Sequence, residues 1–148
     1  MILAMVLLGG CADPTWRDAS STSISSRGSW RVWGDFRDPA AVTDGNLNTV
    51  ASTSDNYRSA TLTTDLGKSC VFNMIILDQG PGHEENYCRR FSVLISDDNL
   101  NYRTIYTGVG TRRVTYVKVL TPTLARYVRL EANVPGDRPW RIAEMYLQ

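Results

Sequence analysis

From Ser29 to its end, this chain repeats apolar residues at every second position and shows no helical stripe of useful length. Phe91, Val93 and Ile95 alternate with Ser92, Leu94 and Ser96, and Val128 and Leu130 alternate with Arg129 and Glu131. A period of two places one set of side chains on each face of a strand. Residues 113–120 are rich in Val, Thr and Tyr, and residues 142–147 give a last short strand. The nearly continuous apolar run CVFNMIIL, residues 70–77, predicts a strand buried on both faces. Turn signals punctuate these runs: Asp44-Gly45, Leu66-Gly67, Gly80-Pro81-Gly82, Asp97-Asp98-Asn99, Thr121-Pro122 and Pro135-Gly136. Short strands between regular turns predict an all-β fold, an antiparallel β-sandwich or jelly roll. The chain has 148 residues, enough for one domain with a sizeable core, and there is no internal repeat.

Charge excludes some partners. Sixteen basic residues face fifteen acidic ones, a formal charge of +1. No basic stripe for nucleic acid or for an anionic membrane surface is indicated by that balance. The start, MILAMVLLGGC, is apolar over residues 1–10, too short for a membrane-spanning helix. Small residues before Cys11 make it resemble a bacterial lipoprotein signal, although no Lys or Arg precedes the apolar run. That resemblance implies a lipid on Cys11 as the sole membrane attachment, and a place in the bacterial cell envelope. Residues 11–28, Ser-rich around 20–26, read as a tether merging into a first strand, with the domain proper at 29–148. Setting Cys11 aside leaves Cys70 and Cys88, either a disulfide pair or two independent cysteines.

The stretch VTDGNLNT spaces oxygen donors at Asp44, Asn46 and Asn48. It is not an EF-hand, which needs Gly at the sixth position and Glu at the twelfth, where this chain has Thr49 and Asp55. Asp-Gly-Asn is also a plain turn signal. Four later motifs add weight to it: TTDLG (63–67), RRFSVLISDDNLNY (89–102), ARYVRLEA (125–132) and WRIAEMYL (140–147). In that order and spacing, these motifs resemble the discoidin superfamily, or coagulation factor type C domains, and most nearly family 32 carbohydrate-binding modules. The resemblance runs over about residues 23–148. It implies a discoidin-like jelly roll and one structural calcium held by Asp44, Asn46, Thr49 and Glu144, with backbone carbonyls near Ala41 and Ala143. Hard oxygen donors of this kind suit that ion. The family's usual Trp, His and Arg ligand positions carry Ala51, Ser52 and Gln79 here, so its galactose-binding set does not carry over.

The resemblance also places the ligand among loops at the pole away from the chain ends. The matching segments pair a flat aromatic with planar polar groups, which sugar recognition uses for C–H faces and hydroxyls. Trp33 accompanies Asp35 and Arg37, and Tyr57 accompanies Asp55, Asn56 and Arg58. Tyr87 accompanies His83, Glu84 and Asn86, and Trp140 accompanies Asp137 and Arg138. Trp33, Tyr57, Arg58 and Gln79, with His83, Asn86, Tyr87 and Arg138, form the candidate ligand-binding set. Of these, Tyr57 and Tyr87 lie in polar loops and are the expected stacking rings. Catalysis has little vocabulary to use. His83 is the single histidine, and GHEENYC places Tyr87 where a zinc-binding helix would need a second one. The expectation is a non-catalytic module for a glycan or polysaccharide; the alternative is a protein-binding or assembly component on the same fold.

Overall fold

A computed structural model describes residues 21–148. Residues 1–20, with the signal-like segment, Cys11 and the first part of the tether, lie outside the described residues. Among the described residues eight strands succeed one another: β1 (Arg31–Gly34), β2 (Ala51–Ser52), β3 (Thr61–Asp78), β4 (Arg90–Ser96), β5 (Arg103–Val109), β6 (Val114–Val134), β7 (Arg141–Ile142) and β8 (Glu144–Leu147). Helical backbone among the described residues is limited to two short 3-10 turns, Arg27–Ser29 and Pro39–Thr43. Every strand pairing is antiparallel, as the two-residue periodicity predicts.

The sandwich is built around one long bent ribbon. β3 pairs with β6 along its whole length, but the register slips between Asp65 and Cys70 and again between Phe72 and Met74. The first half of β3 pairs with β1, and the matching half of β6 pairs with β4, which pairs with β5. The second half of β3 pairs with β8. The ribbon thus gives one arm to each layer, and β2 pairs with β7 apart from it. Two expected turns sit inside these strands as bulges. Gly67 adopts φ +79°, open to glycine at no steric cost, and its N–H bonds the Asp65 Oδ1 at 2.7 Å. The Thr121-Pro122 signal falls in the segment looped out of β6 between Lys118 and Thr123.

Inward residues of both layers make the core: Leu62, Leu66, Phe72, Ile75, Phe91, Val93, Val128, Leu130 and Met145 are all buried. Trp140 sits at its centre, its ring 5.4 Å from Phe36 and 5.3 Å from Phe91. Burying each such side chain contributes about 2–3 kcal/mol. The run 70–77 departs from the expectation of two buried faces. Phe72, Ile75 and Leu77 are buried, whereas Val71 and Asn73 are exposed. On its second face Ile76 is half-buried, set between the half-buried Tyr146 and the exposed Tyr116 on the neighbouring strands. The possible disulfide is corrected as well. Cys70 and Cys88 are separate, buried, free thiols. Cys70 lies 3.7 Å from the Ser25 hydroxyl, while Cys88 donates to the carbonyls of Arg90 and Val134.

Candidate functional site

Loops at the two ends of the ribbon meet at one pole. The Gly136 N–H donates to the Tyr57 hydroxyl at 3.1 Å, and the Arg141 N–H donates to the Asn86 carbonyl at 2.9 Å. A Cβ on Gly136 would fall 2.5 Å from the Tyr87 carbonyl, so only glycine allows this approach. Two adjoining clefts of about 320 Å³ each open there. One is lined by Glu85, Tyr87, Arg89 and Arg138, the other by Asp55, Asn56, Tyr57 and Arg58, and Gly136 with Asp137 forms the wall they share. Arg89 pairs with Asp137 at 2.8 Å, and Arg112 pairs with Glu85, so the rim has oriented charges of both signs.

The sequence-derived ligand set divides over this geometry. Tyr87, Arg58 and Arg138 line the clefts. Tyr57 borders one of them but is only 7 % exposed, so its ring cannot serve as an open stacking platform. Burial also pushes its hydroxyl far above the usual tyrosine range. Asn86 is buried and donates its amide to the Pro139 carbonyl at 2.9 Å. Gln79 is fully buried, and neither atom of its amide has a partner among the described residues. Neither can reach a ligand from there.

His83 is half-buried, and Arg141 Nη1 lies 3.0 Å from its Nδ1. Since a guanidinium can only donate, Nδ1 accepts and the ring proton belongs on Nε2. Burial and Arg141 together lower the His83 pKa. Trp33 stands on β1 opposite Thr63, 39 % exposed, with its edge to Tyr127 at 6.5 Å, and lines neither cleft. Glu85, Arg89 and Gly136 were not singled out by sequence as ligand groups, whereas Asp137 was paired there with Trp140, which is buried in the core. The Pro135-Gly136 turn signal marked the place, but no pattern in sequence says which loops a turn will meet.

A second polar cluster lies where the 44–49 loop crosses the start of β8. The loop is wound on its own side chains: Asp44 accepts the Asn46 N–H at 2.8 Å, Asn46 accepts the Asn48 N–H at 3.0 Å, and the Thr49 hydroxyl donates to Asp44. The Thr49 hydroxyl holds the exposed Asp44 carboxyl below its ordinary pKa. Glu144, remote in sequence, is fully buried with its carboxyl against that of Asp44. Burial pushes its pKa up, and Arg27 pulls against that. Its Oε1 has no hydrogen-bond partner among the described residues. A buried, unpartnered carboxylate oxygen beside a second carboxylate is a cation-binding arrangement. The remaining donors are amide, hydroxyl and carbonyl oxygens, and no three of His, Cys, Asp and Glu gather at one point among the described residues. The chemistry fits a hard cation better than zinc.

Comparison with known families decides the kinship. The F5/8 type C domain matches residues 18–145, nearly the whole chain. The chain belongs to the F5/8 type C domain family. Solved structures share its fold. A CBM32 module of Clostridium perfringens, solved with GalNAc-β-1,3-galactose, superposes with a TM-score of 0.72 at 20 % identity, over 82 % of this chain and 96 % of that one. A family 32 module from NanJ of C. perfringens, solved with galactose, gives 0.74 at 17 %, over 85 % and 97 %. The CBM32 of AlyQ, solved with 4,5-unsaturated mannuronic acid, gives 0.64 at 22 %, over 80 % and 93 %. No curated protein sequence matches the chain. As an F5/8 type C domain it has the β-sandwich that the ordered motifs imply, and its DGNLNT and AEM segments are the two that build the acidic corner.

Proposed function

We propose that this F5/8 type C domain is a non-catalytic carbohydrate-binding module with a structural calcium. The observation that carries the reading is the pair of adjoining clefts at the loop pole, where Tyr87 stands beside Arg89 and Arg138. A sugar ring laid on the half-exposed Tyr87 would meet guanidinium donors and the Asp137 and Glu85 carboxylates at hydroxyl distance. The likeness to modules solved with galactose, GalNAc-galactose and mannuronic acid supports a glycan of some kind without choosing one. One stacking ring in an open site favours weak binding, toward the millimolar end at about −4 kcal/mol. A glycan array carrying neutral, amino and uronic sugars tests this; silence across the array rejects it. The reading as a protein-binding component draws support from the burial of Tyr57, which leaves the clefts with one aromatic in place of the two expected.

Calcium belongs to the framework in this reading. Asp44, Asn46, Thr49 and Glu144 would hold it, with carbonyls near Ala41 and Ala143, and it would fasten β8 to the first loop. The reading extends to a lipid anchor at Cys11, outside the described residues, which would hold the module at a bacterial envelope. Membrane partition of wild type and of Cys11→Ser checks that part.

A further inference from the structure

We propose that Arg27 is the resident counter-ion of the calcium corner, neutralising Glu144 and keeping the fold intact when the ion is absent. The sequence pattern puts Arg27 in a tether, yet residues 21–29 pack onto the sandwich. The Thr22 carbonyl takes the Val71 N–H at 2.8 Å, and the Ser25 hydroxyl donates to the Leu66 carbonyl at 2.6 Å. The Trp30 indole is buried and donates to the same Ser25 hydroxyl at 2.9 Å. Arg27 therefore projects from a segment pinned on both sides, in the 3-10 turn Arg27–Ser29.

Among the described residues its guanidinium makes three contacts, all on β8. Nη1 donates to Glu144 Oε2 and, at 3.1 Å, to the Met145 carbonyl, and the planar group lies over the Tyr146 ring at 4.3 Å. A fork held by a carboxylate, a carbonyl and a ring face has little freedom left. It takes Oε2 of the buried Glu144 carboxylate and leaves Oε1 without a partner among the described residues, in a carboxyl group that lies against that of Asp44. The corner thus divides its labour. Arg27 neutralises Oε2 permanently, and Oε1 with the Asp44 carboxylate is left to a removable cation.

That division has a direction. Without calcium, Arg27 is the cation opposing the burial of Glu144, and a buried carboxylate stripped of its partner is costly. With calcium bound, the ion neutralises the same carboxylate, and Arg27 becomes partly redundant and mildly repulsive to it. Removing Arg27 should therefore harm the calcium-free protein more than the loaded one, and by linkage should tighten calcium binding.

This inference rests on the calcium reading, so the test separates the two. Calcium is titrated calorimetrically into wild type, Arg27→Met and Arg27→Lys, and Tm is measured in EDTA and in saturating calcium. The expected result is that wild type binds calcium and that R27M lowers Tm more in EDTA than in calcium. The calcium-induced rise in Tm then widens by about 4 °C, and calcium binds R27M more tightly than wild type. R27K, which keeps the charge, returns the response toward wild type. An equal drop of R27M in both buffers, with wild type still binding calcium, overturns the counter-ion role alone. No calcium heat in wild type removes the calcium reading and this inference together.

Discussion

The hydroxyl of Tyr57 accepts the backbone N–H of Gly136 at 3.1 Å, tying the loop before β3 to the loop after β6. A side chain that reads as a sugar platform is spent on holding two loops together. Tyr57→Phe should keep the packing and orphan the Gly136 N–H, at a cost of about 1–2 kcal/mol in urea unfolding. The wall shared by the two clefts should loosen, so any glycan bound by wild type should bind Y57F less tightly.

In the proposed reading Tyr87 carries the stacking role alone. Tyr87→Ala should leave Tm near wild type, because the ring is half-exposed at a cleft edge. Glycan binding should weaken by about 1 kcal/mol, roughly fivefold. Equal glycan titrations for wild type and Y87A would show that the ligand lies elsewhere.

At the acidic corner, Asp44→Ala removes both a loop-winding acceptor and a carboxylate facing Glu144. Its Tm should fall, and the difference between calcium and EDTA should vanish. A calcium response that survives D44A would mean that the ion binds at another place.

Acid should find the bend in β3. Arg126 grips Asp65 with two bonds, Nε to Oδ1 at 2.9 Å and Nη2 to Oδ2 at 3.1 Å, and that grip lowers the Asp65 pKa. A depressed folded pKa gives stability that is fully present above the unfolded value near 3.9 and is lost as pH falls through the folded one. Asp65→Asn should cost about 1 kcal/mol at pH 7, since the pair is partly exposed, and less at pH 2. The gap between the urea midpoints of wild type and D65N should therefore narrow on acidification.

His83 titrates in a different window. Its lowered pKa means that the folded protein favours the neutral ring bonded to Arg141. Stability from this contact is present above about pH 6.5 and is lost as pH falls from there through the folded value. An NMR titration of the ring protons should give a midpoint below 6.5, and Arg141→Met should raise it.

Much of the fold was legible because strand periodicity is local. The alternation at 91–95 and 128–130 gave the inward sets of β4 and β6, and both are buried. The acidic corner was legible only through the family resemblance, which set Glu144 with the 44–49 loop; spacing alone reads equally as a turn. What escaped depends on which loops meet. Tyr57 and Tyr87 sit in equally polar sequence, yet one is buried and bonded to Gly136 while the other stands half-exposed at a cleft. The same holds for tryptophan: Trp140 fills the core at 1 % exposure, whereas Trp33, one residue out of phase with Val32, faces outward. Arg27 was invisible for a plainer reason. Serines around it make a segment look solvated, and nothing in the sequence announces that Ser25 and Trp30 will dock it.

The bend of the ribbon also decides how this fold would take mechanical strain. The Thr22 carbonyl binds the Val71 N–H, and the Gln148 carbonyl takes the N–H groups of Asn73 and Met74. Both ends of the described chain thus rest on one stretch of four residues at the bend, away from the pole where Tyr57, Gly136 and Arg141 gather. A pull between Thr22 and Gln148 would act on that stretch first and peel it open bond by bond. The clefts would lie off the line of tension and keep their shape until the bend gave way.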